Sequence, residues 1–167
     1  GNGTAVASAK KFAAEIAAKL VNAGVQAVIL TKDEQMVLTP TYYVFKMYAD
    51  HQNAKLIPLD VVSEKYTYNG VSTDAICASA STKDGVVTIT LCNINPNDGA
   101  TVEINVGDIE SKTIKGEIVT AQKMNDFNDF GQPEKITLKP FDVKKPVKGQ
   151  LSVNMPAMSV VKVQLSK

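Results

Sequence analysis

The stretch from Met36 to Leu59, MVLTPTYYVFKMYADHQNAKLIPL, separates two parts of the chain that have different patterns. Upstream the sequence is alanine-rich and helical in period, and downstream it is almost entirely a series of short strand patterns. Thr39 followed by Pro40 is typical of a helix start, because threonine is favoured at the N-cap and proline at the first helical position. The helix that follows is apolar or aromatic on nearly every side, which predicts a pin buried between two layers. The side chains concerned are Tyr42, Tyr43, Val44, Phe45, Met47 and Tyr48.

The part before this stretch has the pattern of a short α/β segment. Apolar residues recur at helical spacing from Ala5 to Asn22, and Gly24 is suited to end that helix. Val25–Leu30 is a continuous apolar run, which favours a buried strand, and Lys32–Gln35 is a polar turn. This helix–strand–helix order, assigned to residues 1–52, suits the end of a β/α barrel.

Residues 53–167 predict a mainly β domain. Strand patterns return at the spacing of about 8–12 residues that is typical of a sandwich, with Asn-Gly, Asp-Gly and Asn-Pro pairs between them. The spacing predicts an antiparallel β-sandwich of the jelly-roll kind. The predicted strands are Leu56–Val62, Asp74–Thr82, Val86–Asn93, Thr101–Val106, Lys115–Ala121, Gln150–Asn154 and Ser159–Gln164.

One hairpin can be predicted in register. Asp84-Gly85 between two alternating runs indicates a two-residue type I′ turn. Counting from that turn places Ala80 opposite Ile89 and Ala78 opposite Leu91 on a core face. The other face is then semi-polar. It carries the pairs Ser81 with Thr88, Ser79 with Thr90 and Cys77 with Cys92.

Several stretches resemble the C-terminal region of family 51 α-L-arabinofuranosidases, in that family's order and spacing. VQAVILTKDEQ and LTPTYYVFKMYADHQ resemble the end of the family's catalytic barrel. ICASASTKDGVVTITLCNINPND, GEIVTAQKMNDFNDFGQPEKITLKPF and LSVNMPAMSVVKVQL resemble its C-terminal sandwich, so that the resemblance covers roughly Leu20 to Leu165. It implies a retaining glycosidase that removes terminal α-L-arabinofuranosyl groups from arabinan or arabinoxylan.

A retaining glycosidase needs two carboxyl groups about 5–5.5 Å apart, one as acid/base and one as nucleophile. The resemblance implies that both are glutamates on barrel strands upstream of the residues compared, so no glutamate of this chain inherits either role. We therefore predict no catalytic, cofactor-binding or metal-binding residue in this chain. The glutamates considered are Glu15, Glu34, Glu64, Glu103, Glu110, Glu117 and Glu134.

Four other features have a structural interpretation that we favour over a functional one. Cys77 and Cys92 could form a cross-strand disulfide, but two small hydrophobic side chains on neighbouring strands are favoured. His51, near the end of the predicted helix, is favoured as a cap that interacts with the helix dipole rather than as a catalytic base. Asn125–Gly131 lacks the ligand pattern of a calcium loop, so its side chains should bond their own backbone. The glycosylation motif Asn2-Gly3-Thr4 is interpreted as accidental.

The composition of the chain limits the classes of partner that we expect. A net charge of +1 gives no reason to expect nucleic acid or an anionic membrane, and no apolar run reaches the roughly 20 residues of a membrane span. The expected partner is the catalytic barrel of the same protein, with self-association through the N-terminal helices as a further expectation. A carbohydrate-binding module is the alternative, although such modules stack exposed aromatic rings on sugars and this chain has no Trp. Cytoplasmic and exported parent proteins both fit the sequence.

Overall fold

The structure, a computed structural model, describes residues 28–107, 109 and 111–166. The predicted helix Ala5–Asn22 and the motif at Asn2 lie outside these residues. In the described part a β-hairpin and a short helical segment come first, followed by an antiparallel β-sandwich, which confirms the mainly β prediction. The elements before the sandwich are β1 (Ile29–Lys32), β2 (Gln35–Leu38), α1 (Pro40–Tyr48) and a 3-10 turn (Ala49–His51).

The strands that follow form one large sheet and two small ones. They are β3 (Lys55–Ile57), β4 (Lys65–Tyr68), β5 (Val71–Asp74), β6 (Ile76–Lys83), β7 (Val86–Asn93), β8 (Ala100–Asn105), β9 (Thr113–Thr120), β10 (Lys139–Phe141), β11 (Gln150–Met155) and β12 (Ser159–Ser166). The main sheet has six strands in the order β10-β9-β12-β7-β6-β3, all antiparallel to their neighbours. A second layer, β8 paired with β11, covers one face of it, and β4–β5 is a separate hairpin.

The core lies between the main sheet and the second layer. Alternate residues of β7 and β12 point into it, because successive side chains of a strand face opposite sides. Leu91 and Val161 are paired across these two strands and are buried together with Leu151 and Val153 of β11. The alternation of inward and outward side chains along these strands therefore produces this core.

The β6–β7 hairpin has the predicted register. Asp84 and Gly85 adopt φ of 51° and 79°, the left-handed values that a type I′ turn requires of both central residues. Ala80 pairs with Ile89, and Ala78 pairs with Leu91. On the semi-polar face Thr90 is completely buried, and Ser81 and Thr88 are nearly so.

The region before the sandwich differs from its prediction. The described end of the apolar run and the polar turn belong to an antiparallel hairpin, in which Ile29 pairs with Leu38 and Lys32 pairs with Gln35. Most residues of β1 are exposed, so the expectation of a buried strand is wrong for this part of it. The predicted strand Leu56–Val62 stops at Ile57, because Pro58 cannot donate to the ladder. The short strands β4, β5 and β10 were not predicted.

Helix α1 begins as predicted and packs differently. Thr39 is its N-cap and Pro40 its first residue, and the Thr39 hydroxyl donates a hydrogen bond to the Val28 carbonyl at 2.8 Å. Met47 is fully buried, whereas 64% of Phe45 is exposed. The helix therefore lies on one sheet instead of forming a pin between two layers. No helix among the described residues is long and apolar enough to cross a membrane.

Replacing Leu91 with alanine should lower the free energy of unfolding by roughly 2–5 kcal/mol, since it leaves a cavity under the second layer. The control is Leu56→Ala at a side chain that is 73% exposed, which should cost less than about 0.5 kcal/mol. Urea unfolding followed by circular dichroism measures both. Equal losses would contradict the assignment of the core face.

Candidate functional site

The outer face of the main sheet, opposite the core, is the candidate site. Its side chains form three rows across strands β9, β12, β7 and β6, because those strands are in register. We call them the apolar row, the charged row and the hydroxyl row. The apolar row is Val119, Val160, Cys92 and Cys77; the charged row is Glu117, Lys162, Thr90 and Ser79; the hydroxyl row is Lys115, Gln164, Thr88 and Ser81.

Helix α1 covers the part of the apolar row that lies on β9 and β12. Met47 packs with Val119, and Val160 and Tyr43 lie against the same small cluster. Ile136, from the loop that follows β9, completes it. This second core is separate from the one inside the sandwich, so the main sheet is buried on both faces in its middle.

The segment Tyr48–His51, which comprises the last residue of α1 and the 3-10 turn, lies on the charged and hydroxyl rows. The two ring nitrogens of His51 lie 2.7 Å from the Ser81 hydroxyl and 2.8 Å from the Thr90 hydroxyl. A neutral imidazole donates from one nitrogen and accepts at the other, and hydroxyl groups can do either, so both contacts are satisfied. The prediction that His51 serves as a helix cap is wrong, because its ring bonds the sheet.

Lys162, in the middle of the charged row, is the charged anchor of this site. It is 6% exposed, and its ammonium group donates to Asp50 at 2.6 Å and to Glu117 at 2.7 Å. The same Asp50 oxygen accepts a longer bond of 3.3 Å from Gln164, which also donates to Thr88. One buried cation thus connects the sheet to the docked segment.

The pKa values follow from this arrangement. Burial opposes the charge of Lys162, but its bonds to Asp50 and Glu117 outweigh burial and raise its pKa. Burial alone would raise the pKa of Glu117, yet Lys162 and Lys115 lower it overall. Burial lowers the pKa of His51, with Lys162 adding to that effect and Asp50 opposing it. At neutral pH the site therefore holds an ion triad beside a neutral histidine.

Tyr48 and the two cysteines lie together at one side of the site. The Tyr48 side chain bonds Ser79, and burial raises the pKa of the tyrosine hydroxyl. Cys77 and Cys92 are paired across β6 and β7 as predicted, and both are free thiols. Burial raises the pKa of Cys92, which favours the inert thiol form.

A buried asparagine joins the β1–β2 hairpin to the sandwich. The Asn128 amide donates to the carbonyls of Leu38 and Ile136 and accepts from the Ile136 backbone N–H at 2.8 Å. In the same loop Asp126 and Asp129 accept bonds from nearby backbone N–H groups. The prediction of a loop whose side chains bond its own backbone is confirmed.

A cavity of about 460 Å³ lies between α1, this loop and the end of the main sheet. Asp126 and Asn128 are among its lining residues. The Asp126 carboxylate pairs with Lys135 at 2.8 Å, and the Asn128 amide is bonded as just described. Because these groups are already engaged, the cavity has few polar contacts left for a sugar.

Asp50 and Glu117 do not form a glycosidase pair. Both carboxylates bind Lys162, which lies between them. The lowered pKa of Glu117 keeps it ionised, so it cannot be the general acid. The Glu103 carboxylate accepts a bond from the Ser152 hydroxyl on the second layer. Among the described residues there is also no cluster of His, Cys, Asp or Glu that could hold a metal ion.

Comparisons with known proteins agree with this architecture. Residues 8–159 match the model of the α-L-arabinofuranosidase C-terminal domain family. An intracellular exo-α-L-arabinofuranosidase of Bacteroides ovatus is 44% identical over 150 residues, which is 89% of this chain and 29% of that protein. The chain therefore spans about three tenths of the length of this relative.

Solved structures give the same result. The family 51 arabinofuranosidase of Xanthomonas axonopodis pv. citri superposes with a TM-score of 0.80 at 34% identity, covering 85% of this chain and 29% of that one. The α-L-arabinofuranosidase of Thermotoga maritima, solved as an arabinose complex, has a TM-score of 0.71 at 19% identity, which supports the fold alone. This superposition covers 84% of this chain and 32% of the Thermotoga maritima protein. The fold is thus that of a glycosidase accessory domain, and the chain belongs to the α-L-arabinofuranosidase C-terminal domain family.

Sequence reasoning missed the ion triad. Lys162 lies in an alternating strand pattern, where an isolated lysine normally marks a solvated face. The signal that could have revealed it is the set of small hydroxyl residues on β6 and β7. Ser81, Thr88 and Thr90 make an outward face that is polar but uncharged, which suits the docking of another segment.

Lys162→Met should lower the free energy of unfolding by roughly 2–3 kcal/mol, because Asp50 and Glu117 lose the cation between them. This figure is reduced from that of a fully buried pair because the Asp50 side chain is 42% exposed. The matched control is Lys65→Met, which breaks the exposed Lys65–Asp74 pair and should cost less than about 1 kcal/mol. Chemical unfolding of both variants measures these free energies. Similar losses of stability would contradict the role given to Lys162.

Stability should decrease as the pH falls below about 6.5, the ordinary pKa of histidine. The folded pKa of His51 is lowered, so the unfolded chain binds the proton first and acid favours unfolding. Glu117, whose folded pKa is also lowered, adds a further loss only below its ordinary value of 4.5. His51 is the chain's single histidine, so His51→Gln should remove the slope that begins below about pH 6.5 in urea unfolding. An unchanged slope in that variant would show that another group causes it.

Proposed function

We propose that this chain is the non-catalytic C-terminal part of an α-L-arabinofuranosidase. The parent enzyme would remove terminal α-L-arabinofuranosyl groups from arabinan or arabinoxylan by a retaining mechanism. Its catalytic barrel, which would supply the two glutamates, is the partner domain. The role of the sandwich is to pack on that barrel and to hold its final helical segment.

The observation that carries this proposal is the docking of Tyr48–His51 on the outer face of the main sheet. Lys162 binds Asp50, and Ser81 and Thr90 bind the His51 ring, so the sheet recognises this segment through its side chains. Because this segment is fixed on the sheet, it also fixes the residues that precede it relative to the sandwich. We propose the domain boundary there, with residues 1–52 as the end of the barrel and residues 53–167 as the sandwich.

The isolated chain should show no glycosidase activity, whereas the full-length parent enzyme should release the chromophore of an aryl α-L-arabinofuranoside. Loss of both carboxylates removes the covalent step and its protonation together. Turnover that co-purifies with the isolated chain and persists in a Glu117→Gln variant would place catalytic groups elsewhere in these residues. Turnover abolished by that substitution would contradict the ion-pair role given to Glu117.

A carbohydrate-binding module is the alternative function. The exposed rings of Tyr68 and Phe127 are the features that favour it, since sugar faces stack on accessible aromatic side chains. Calorimetric titration of the isolated chain with arabino-oligosaccharides separates the two functions. Binding at millimolar or lower concentration that is lost in Tyr68→Ala or Phe127→Ala would favour the module.

We also propose that the isolated chain self-associates through α1. Phe45 and Met36 are more than half exposed and would face the barrel in the parent enzyme. Phe45→Glu should therefore shift the light-scattering mass towards the monomer. The control is Val147→Glu at a side chain of similar exposure (70%), which should leave the mass unchanged. A monomer at every concentration, or an equal effect of both substitutions, would refute the proposal.

A further inference from the structure

The free thiols of Cys77 and Cys92 are paired across β6 and β7 on the outer face of the main sheet. In an antiparallel ladder that starts at a two-residue turn, hydrogen-bonded pairs recur at every second position, and the cysteines form the fourth of them. The Ile94 N–H donates to the Ala75 carbonyl at 3.0 Å, so the same alternation continues beyond the cysteines. Their register is therefore fixed on both sides.

This register places the two thiols within reach of each other. The Cα atoms of a hydrogen-bonded antiparallel pair are about 5.5 Å apart, inside the range of about 4.4–6.8 Å found in disulfides. The Cβ atoms, also about 5.5 Å apart, must approach to about 3.8 Å before a bond can form. Closure therefore needs a small movement of β6 against β7, and the bond that results is strained and easily reduced.

The two thiols differ in their access to solvent. Cys77 is exposed, and β3, which pairs with residues 80–82 of β6, stops short of it. Cys92 is half-buried, because β12 lies on its other side and places Val160 beside it. Burial raises the pKa of the Cys92 thiol, which makes Cys92 a poor nucleophile towards a reagent in solution. A reagent from solvent therefore reacts at Cys77 first.

The next outward pair on these strands, Ser79 and Thr90, holds the docked segment Tyr48–His51. Ser79 bonds the Tyr48 side chain, and the Thr90 hydroxyl lies 2.8 Å from a ring nitrogen of His51. Tyr48 also interacts electrostatically with both thiols, so its hydroxyl lies near the thiol pair. Movement of β6 against β7 at the cysteines therefore disturbs the bonds that hold the segment.

We propose that Cys77 and Cys92 form a dithiol site that reacts with low-molecular-weight disulfides, such as oxidised glutathione, and closes to a reversible cross-strand disulfide. The Cys77 thiolate attacks one sulfur of the reagent, whose S–S bond breaks. One thiolate leaves and takes up a proton, and a mixed disulfide remains on Cys77. The Cys92 thiolate then attacks the Cys77 sulfur and expels the second thiol. The reagent gains two electrons and two protons, which the two cysteines lose.

The second step does not require an activated Cys92. Its position beside Cys77 makes the reaction intramolecular, and a high effective concentration offsets a raised pKa. Closure and docking oppose each other, because closure moves the strands that carry Ser79 and Thr90. Coupling between two such equilibria is reciprocal, so a weaker docking contact favours the disulfide and the disulfide weakens docking by the same factor.

Incubation of the 167-residue protein with oxidised and reduced glutathione, followed by acid quenching, alkylation and mass spectrometry, tests the site. The unmodified sequence should lose both thiols together, retain no glutathione and give a peptide in which Cys77 is linked to Cys92. Cys92→Ser should accumulate a stable mixed disulfide at Cys77. Cys77→Ser should react at least about tenfold more slowly than Cys92→Ser, because its remaining thiol is half-buried.

Three results would overturn the proposal. They are a protein that stays reduced in excess oxidised glutathione, a protein that keeps glutathione on Cys77 while Cys92 remains free, and a Cys77→Ser variant that reacts as fast as Cys92→Ser. Because the first two are measured without any substitution, they do not depend on whether a variant folds.

Tyr48→Phe tests the coupling to docking, because it removes the hydroxyl that bonds Ser79 and keeps the ring. The equilibrium constant for closure with glutathione should rise roughly two- to tenfold, the factor that one hydrogen bond contributes. The matched control is Tyr68→Phe at a tyrosine that is 67% exposed on β4, which should leave the constant unchanged. An unchanged constant in Tyr48→Phe, or an equal rise in both variants, would refute the opposition of closure and docking.

Discussion

The contact between Lys162 and the two carboxylates of Asp50 and Glu117 is the constraint on which the arrangement of the chain depends. An ammonium group in the middle of a sheet is costly to bury unless it is fully paired. Glu117 supplies one partner from the neighbouring strand, and the docked segment supplies the other. Removing the segment would leave the cation half-paired, so the sheet and the segment each require the other. This mutual requirement explains why so short a helical segment has a fixed position.

The sequence predicted those parts of the fold that depend on local pattern. The Asp84-Gly85 turn sets the register of β6 and β7, and that register already contains half of each row on the outer face. The other half comes from β9 and β12, whose pairing joins residues 39 to 53 positions apart. Pattern alone does not say which strands become neighbours over such distances, so the contact of Lys162 with Glu117 could not be derived.

The errors in prediction have one physical origin. An apolar pattern predicts burial for a helix and for a continuous run alike, although burial depends on what surrounds them. Phe45 and most of β1 are exposed in the described residues, because a single sheet face can cover only one side of each element. The position of His51 near the end of the helix likewise predicts a helix cap. The hydroxyl groups that bind its ring come instead from strand residues 30 and 39 positions away.

The polar character of the outer face has a consequence for folding. A sandwich whose outer face was apolar would expose that face until the preceding segment docked, and such surfaces promote association. Serine, threonine, lysine and glutamine remain hydrated until docking and then form bonds of fixed direction. In the apolar row, Val119 and Val160 lie at positions that Met47 and its neighbours cover. The main sheet therefore has one face that drives its folding and another that selects, by hydrogen-bond geometry, the segment that lies on it.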